Sequence, residues 1–238
     1  MEAWQDNGIV IKTQKHNDHG AVVILLTENA GRYLGYVQGG MSSRKRSTIE
    51  IGNIVAADWS SRLSENMGAY NLELERNTSS GFIHDPQRLL ALQSACAMLN
   101  LTLPEREPHP NLYHGTLALF QSLDTEVWAE SYIIWEIGLL RELGFGIDLT
   151  RCAAGGSVDD LRYVSPKSAI AVSVEKSQGY EDKLLKLPQF LLGKEDIDPQ
   201  QAIVDGLKLT SYFFEHRVFA DSSVQGFPEA RQRLINSF

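Results

Sequence analysis

Short apolar runs separated by turn residues fill the first 80 positions of the chain. The runs span residues 8–14, 21–28, 32–38, 53–60 and 69–76. In the last run Tyr70, Leu72 and Leu74 alternate with polar residues, which is the period of a β-strand with one buried face. Five short strands predict a small closed barrel, and the five-stranded OB-fold is the first choice because closure removes exposed strand edges. An SH3-like barrel stays open as an alternative, since periodicity does not separate the two.

A polar break at residues 78–81 marks a change to helical periodicity. Asp85-Pro86 and Asp198-Pro199 each place a capping residue before a proline, which is typical of a helix start. Helices are predicted from residue 86, over 111–123, 126–143 and 181–187, from residue 199 to about Phe214, and after Pro228. The helix over 126–143 is apolar around much of its circumference, so we expect it at the buried centre of a bundle.

Two apolar segments, 161–164 and 169–174, predict a hairpin around Ser165-Pro166-Lys167. The expected fold class is therefore α+β. An OB-fold domain is predicted over residues 1–80, and a mostly helical domain over residues 81–238, with the hairpin in an irregular region at about 145–178.

The composition is that of an ordinary globular protein, with 43% hydrophobic and 22% charged residues among 238. Two cysteines, Cys96 and Cys152, are too few for a disulfide framework. The first residues carry neither a basic segment nor an apolar core of a signal peptide, and no apolar stretch is long enough to span a bilayer. These features predict a cytoplasmic protein.

The net charge of −8 argues against nucleic-acid binding, but the charges are unevenly distributed. Residues 1–80 have a net charge of −1 and residues 81–238 a net charge of −7. The segment between Gly8 and Thr48 contains six basic residues and only two acidic ones. The candidate phosphate contacts in the first 80 residues are Lys12, Lys15, Arg32, Arg44, Lys45, Arg46 and Arg62.

The triplet Arg44-Lys45-Arg46 is the most concentrated of these charges. A phosphate backbone would relieve its self-repulsion, although a solvated loop is the commoner explanation of such a triplet. The preceding Gly39-Gly40 pair does not make a P-loop, because Gly40 is followed by Met41 and no helix is indicated there.

Strand-binding proteins also stack bases on aromatic side chains, and Tyr33, Tyr36 and Trp59 are the local candidates. Tyr33 and Tyr36 are three positions apart and so lie on opposite faces of a strand. At most one is expected to be exposed, and core packing explains these rings equally well.

The sequence contains no G-x-S-x-G elbow, no H-E-x-x-H motif and no defensible pair of catalytic carboxylates. His16, Asp18 and His19 lack a fourth ligand for a tetrahedral metal, so a solvated turn is the simpler interpretation. Cys96 falls in an apolar helical stripe and is interpreted as a small core residue. We expect a non-enzymatic protein with no metal and no cofactor.

Three segments together resemble the RecO family of bacterial DNA repair proteins. They are the opening GIVIKTQKHNDHGAVVILLTENAGRYLGYVQGGMSSRK, then WEIGLLRELGFGIDLTRC, and finally YVSPKSAIAVS. Their order and spacing cover essentially the whole chain. The resemblance implies an N-terminal OB-fold and a helical C-terminal domain that together bind single- and double-stranded DNA and anneal complementary strands.

The resemblance also implies partners and a nucleoid-associated location in the cytoplasm. RecO proteins act with RecR, help load RecA onto strands coated by single-strand-binding protein, and dock the C-terminal tail of that protein on the helical domain. A protein-interaction scaffold with little DNA affinity is the alternative, because the second part of the chain is acidic and rich in aromatic residues. A hydrolase is a more distant alternative.

Two departures from the family pattern affect the second domain. Many members carry two Cys-x-x-Cys pairs where this chain has Cys152 alone, with Gly155 and the segment 169–173 at the other positions. One thiol cannot hold tetrahedral zinc, so we predict a zinc-free, zinc-ribbon-like hairpin packed by Tyr163, Val164, Ile170 and Val172. Ile134 replaces a basic residue that some members carry before the Phe-Glu pair, and Arg141 is the candidate that compensates in partner binding.

Overall fold

The computed structural model describes residues 2–62, 67–220 and 226–238. The strands of the N-terminal part are β1 (Glu2–His16), β2 (Gly20–Thr27), β3 (Gly31–Gln38), β4 (Ile54–Ser61) and β5 (Ala69–Arg76), with a one-turn helix α1 (Ser43–Arg46) between β3 and β4. The later helices and strands are α2 (Pro86–Thr102), α3 (Pro110–Ser122), α4 (Trp128–Glu142), β6 (Leu161–Val164), β7 (Ala171–Ser173), α5 (Val174–Ser177), β8 (Leu185–Lys186), α6 (Pro199–Phe213) and α7 (Glu229–Ile235). The predicted α+β class is confirmed.

The first five strands form a closed barrel in the order β1-β2-β3-β5-β4. All pairings are antiparallel except that of β3 with β5, where Tyr36 pairs with Ala69 in parallel. A five-stranded Greek-key barrel of this kind is the OB-fold. The first choice made from the strand pattern is therefore confirmed.

Strand β1 pairs with two neighbouring strands along its length. Its first half pairs with β4, from Glu2 opposite Ser61 to Ile9 opposite Ile54, and its second half pairs with β2. The register of the β1–β2 pairing shifts between Val10 and Lys12. An extra residue at such a bulge bends the strand, which lets a single strand pass from one neighbour to the other.

The barrel interior is filled by apolar side chains from all five strands. The buried cluster comprises Val10, Ala21, Val23, Leu25, Tyr33, Val37, Ile49, Val55, Ala57, Trp59 and Tyr70. Along β3 the alternation is clear, since Tyr33, Gly35 and Val37 are buried and the residues between them are only half-buried. Side chains at even positions of β3 therefore lie on the outer face of the barrel.

The main helices begin where the capping signals predict. The Asp85 carboxylate accepts a hydrogen bond from the backbone N–H of Arg88 at 3.2 Å, and the Asp198 carboxylate accepts one from that of Gln201 at 3.1 Å. Helix α2 packs against β1 of the barrel. Helices α4 and α6 pack against each other through a close approach at Gly206, whose position leaves no room for a side chain beside Ile133.

The chain divides into two compact units, one comprising Met1–Gln121 with Phe227–Leu234 and the other Ser122–Gly226 with Ile235–Phe238. The boundary predicted at residue 80 separates domains that fold independently. Compact units do not test independent folding, so this boundary stays a prediction. Within the described residues, no helix is long and apolar enough to cross a membrane.

Two sequence-based expectations are wrong. The segment after Gly40 does contain a helix, because Ser42 caps the four-residue α1. The helix predicted over 181–187 is instead a short 3-10 turn at Glu181–Lys183 followed by β8. Lys186 pairs there with Tyr163 and Leu185 with Val164, so strand pairing with β6 overrides the local helical tendency.

Candidate nucleic-acid interface

Six of the seven basic residues singled out from the sequence have exposed side chains. They are Lys12, Lys15, Arg44, Lys45, Arg46 and Arg62. The exception is Arg32, whose side chain is only 14% exposed. Its Nε donates to the carbonyl of Leu103 at 2.8 Å, and its Nη2 lies 3.3 Å from Glu105 Oε1. Arg32 therefore fastens the segment after α2 to the barrel, and this leaves it little reach toward a phosphate.

Helix α1 presents the basic triplet on a single turn. The Ser42 hydroxyl accepts a hydrogen bond from the backbone N–H of Lys45 at 3.4 Å and so starts the turn. Arg44, Lys45 and Arg46 all project from it into solvent, and no acidic residue stands in its first turn. Lys45 Nζ donates to the carbonyl of Gln38 at 3.0 Å, which ties the turn to the end of β3.

Arg46 of the triplet and Lys15 of β1 come together at one end of the barrel. Lys15 and Arg46 line a groove of about 260 Å³ whose floor includes Met41 and Ile49. The Thr13 hydroxyl donates to the carbonyl of Ile49 at 2.6 Å and holds this end closed. Among the described residues the only carboxylate in an ion pair with this group of cations is Asp18, 3.5 Å from Lys15 Nζ. Glu50 also lines the groove, so this end of the barrel carries more cations than carboxylates but is not purely cationic.

Lys12 stands on the outer face of the same three strands. It pairs with Ile24 on β2, and Ile24 pairs with Leu34 on β3, so these three positions share one face. His16, Gly20 and Gln38 form the corresponding row at the end of the strands. We define the five cations Lys12, Lys15, Arg44, Lys45 and Arg46 as the basic edge.

Arg62 lies apart from the basic edge. It follows the end of β4, where Ser61 pairs with Glu2 at the opposite end of β1 from Lys12. Lys12 is ten positions beyond Glu2 on β1, a span of up to about 33 Å along an extended strand. The sequence could not show this separation because the register of β1 with β4 is a long-range property.

Of the three aromatic candidates, two are buried in the core and one lies on the outer face, and Tyr33 and Tyr36 lie on opposite faces as their spacing predicts. Tyr33 is 6% exposed and Trp59 1% exposed, and both belong to the barrel core. Tyr36 lies on the outer face and is half-buried, with its ring 5.8 Å from that of His16 in an edge-on arrangement. His16 and Gly20, which motif reasoning did not select, join this face through the β1–β2 register.

Comparisons with known proteins agree with this architecture. A family model described as "Recombination protein O N terminal" matches residues 1–76, and one described as "Recombination protein O C terminal" matches residues 83–222. The chain belongs to the RecO family. A DNA repair protein RecO of Rhodospirillum centenum is 48% identical over 99% of this chain and 94% of its own. Those of Rhodospirillum rubrum and Cereibacter sphaeroides are 41% and 38% identical over 99% of this chain and 96% and 98% of theirs. RecO proteins are DNA repair mediators.

In the second unit, the thiol of Cys152 is held by hydrogen bonds from nearby backbone and side-chain groups. Burial raises the pKa of the Cys152 thiol, but hydrogen bonds from Ser173 and from the backbone N–H groups of Ala154 and Gly156 outweigh it and lower the pKa to about 7. The Ser173 N–H lies 3.4 Å from Sγ. Within the described part of the chain, no three His, Cys, Asp or Glu side chains are grouped closely enough to hold a metal.

The hairpin next to Cys152 is present as β6 and β7, and β8 adds a third strand that the sequence did not predict. Val164 and Val172 are buried in it, whereas Tyr163 and Ile170 are half-buried. Apolar packing therefore involves the predicted residues. That this hairpin binds no zinc, and that it is related to a zinc ribbon, stay predictions.

Two positions on α4 that the family resemblance linked to partner binding, Ile134 and Arg141, are solvent-facing in this chain. Ile134 is 52% exposed, while the adjacent Trp135 is 5% exposed and Glu136 is fully buried. Arg141, in the last turn of α4, is exposed. A partner approaching α4 would meet an apolar side chain at Ile134 and a cation at Arg141.

Proposed function

We propose that this RecO protein binds single- and double-stranded DNA through the basic edge and anneals complementary strands. The observation that carries the proposal is the group of five exposed cations at one end of an OB-fold barrel and on the adjoining outer face of β1, in a chain whose net charge is −8. Each phosphate neutralised by such a cation releases condensed counterions, which supplies affinity without regard to base sequence.

Phosphate contacts suit annealing for a geometric reason. A protein that holds a strand by its backbone leaves the Watson–Crick edges of the bases free to pair with an incoming strand. The five cations surround the end of the barrel and the outer face of β1 rather than a deep cleft, so two strands can be held near one another.

The helical part is proposed to recruit partners. Together with RecR, this protein would help to load RecA onto DNA coated by single-strand-binding protein, as the family's role implies. The exposed Ile134 and Arg141 offer the apolar and cationic contacts that an acidic, hydrophobic C-terminal tail requires. The proposal includes no catalytic step, cofactor or metal.

Charge reversal of the α1 triplet in the full chain tests the proposal. Arg44→Glu, Lys45→Glu and Arg46→Glu together should weaken binding of labelled single- and double-stranded oligonucleotides, measured by fluorescence anisotropy. The matched control reverses Lys167, Lys183 and Lys194, which are exposed cations of the second unit. Each set shifts the net charge from −8 to −14, because each of the three replacements changes it by −2.

The two variants must differ if the proposal is right, with the control binding DNA much more tightly than the triplet variant. Equal losses would mean that net charge, not the basic edge, governs binding. A wild-type chain that binds the tail peptide of single-strand-binding protein but no DNA would favour the scaffold alternative.

A further inference from the structure

Tyr36 lies flat across the first residue of β2. A Cβ atom built at Gly20 would stand 2.1 Å from the Tyr36 hydroxyl oxygen and 2.3 Å from two ring carbons. No side chain could occupy that space, so the glycine makes room for the ring. The β2–β3 register places Tyr36 beside Val22 and Gln38 beside Gly20, which keeps the ring on the outer face of the barrel.

The surroundings of this ring combine apolar and cationic groups. Val22 and Leu34, on the same face, are half-buried and extend the apolar surface. The exposed His16 ring meets Tyr36 edge-on, with ring centroids 5.8 Å apart. Among the described residues, His16 is the one aromatic ring in contact range of Tyr36.

Two cations of the basic edge are attached to the strands that carry the ring and its neighbours. Lys45 reaches the carbonyl of Gln38, two residues beyond Tyr36 on β3. Lys12 lies on the outer face of β1, four residues before His16. A flat aromatic surface between exposed cations has the composition of a site for single-stranded nucleic acid, in which phosphates contact cations and bases stack on rings.

We infer that Tyr36 is a stacking platform for an unpaired DNA base, with His16 as its edge and Lys12 and Lys45 as phosphate contacts on either side. The inference rests on the proposed DNA-binding function and adds to it a residue that distinguishes single strands from duplex. Bases within a duplex are stacked on one another and do not offer a free face to the ring. Stacking leaves the Watson–Crick edge of the base open, so it is compatible with annealing.

Binding by the full chain to three ligands of equal length tests the inference. The ligands are an oligo-dT strand, an abasic single strand and a duplex, compared at one salt concentration. Tyr36→Ala should weaken oligo-dT binding by about 5- to 150-fold, the range for loss of one stacked base. Binding of the abasic strand and of the duplex should not change, and Tyr36→Phe should bind oligo-dT as the wild type does.

Failure of this inference is distinguishable from failure of the proposed function. If the wild type binds none of the three ligands, the proposed function is wrong. If it binds them and Tyr36→Ala loses affinity for all three equally, or for none, the platform is wrong. Should Tyr36→Ala not fold, Gly20→Ala replaces it, because the added methyl must displace the ring. Equal wild-type affinity for oligo-dT and the abasic strand would also overturn the inference.

Discussion

The Cys152 thiol is surrounded by hydrogen-bond donors although no metal group is present among the described residues around it. Backbone N–H groups aimed at a sulfur stabilise the thiolate more than the thiol. Gly156 contributes to this arrangement because a Cβ there would stand 2.2 Å from Ser173 Oγ. The donors therefore lower the pKa of this cysteine.

Cys152 should react with iodoacetamide in a pH-dependent way, since the thiolate is the nucleophile. The folded pKa of about 7 lies below the ordinary value of 9.0, so the thiolate forms at lower pH than in a free thiol. We expect the alkylation rate to rise through a midpoint near pH 7, as measured by mass spectrometry of the labelled chain. Cys96 is the internal control, because it is fully buried and its pKa is raised to about 12. A midpoint near 9, or no labelling at Cys152, would contradict the prediction.

Individual site residues were predictable from sequence only where their role is local. The triplet at 44–46 is exposed as its composition indicates, and Tyr33 and Tyr36 lie on opposite faces as their spacing requires, although the spacing did not show which one faces outward. The internal partners of Arg32 could not be foreseen, since Leu103 and Glu105 lie some seventy positions further along the chain. The need for glycine at position 20 could not be foreseen either, because it arises from the Tyr36 ring that packs against it.

Helices α4 and α6 are joined by a buried polar contact. Glu136 is fully buried on α4, and it accepts hydrogen bonds from the Tyr132 hydroxyl at 2.9 Å and from the Thr210 hydroxyl of α6 at 2.5 Å. A buried donor that loses its acceptor bears the cost of its desolvation. This carboxyl group therefore specifies how the two helices pair.

Glu136→Ala should lower the free energy of unfolding by roughly 2–5 kcal/mol, because a fully buried side chain and its hydrogen bonds with the Tyr132 and Thr210 hydroxyls are removed. Urea denaturation followed by circular dichroism measures the change. Glu136→Gln should cost less, since the amide oxygen still accepts one hydrogen bond. Ile134→Ala, at an exposed position of the same helix, is the matched control and should have little effect. Equal stabilities for Glu136→Ala and Ile134→Ala would contradict this role.

Elements with a regular period were predictable, and elements made by pairing were not. The alternation in β5 and the capping pairs before α2 and α6 predict those elements to within about a residue. Residues 2–7 were not expected in β1, because their strand state comes from β4. The two-residue β8 similarly exists only through its pairing with β6.

The charge of the whole molecule opposes DNA binding, so the local field of the basic edge must overcome it. If all five cations neutralise phosphates, the logarithm of the binding constant for duplex should fall with the logarithm of salt concentration at a slope of about −4.5. On single strands the slope should be about −3.5. Anisotropy titrations between low and physiological salt measure both slopes. The variant with charge reversal at residues 44–46 should give visibly flatter lines, and parallel lines for it and the wild type would contradict the assignment of these contacts.

The single parallel pairing in the barrel has a consequence for how the protein folds. Strands β1, β2 and β3 follow one another through tight hairpins, whereas closure joins Tyr36 to Ala69 across thirty-three positions of the chain. Contacts between distant positions form slowly because a long loop must be ordered before the contact repays its entropy. The β1–β4 pairing spans even more of the chain, since Glu2 pairs with Ser61. We expect the face that carries Tyr36, Gly20 and Lys12 to assemble first from neighbouring segments, and the β3–β5 and β1–β4 pairings to close the barrel later. Until these pairings form, the strands on either side of them present unpaired edges, so the partly folded barrel should be the most aggregation-prone species on the pathway.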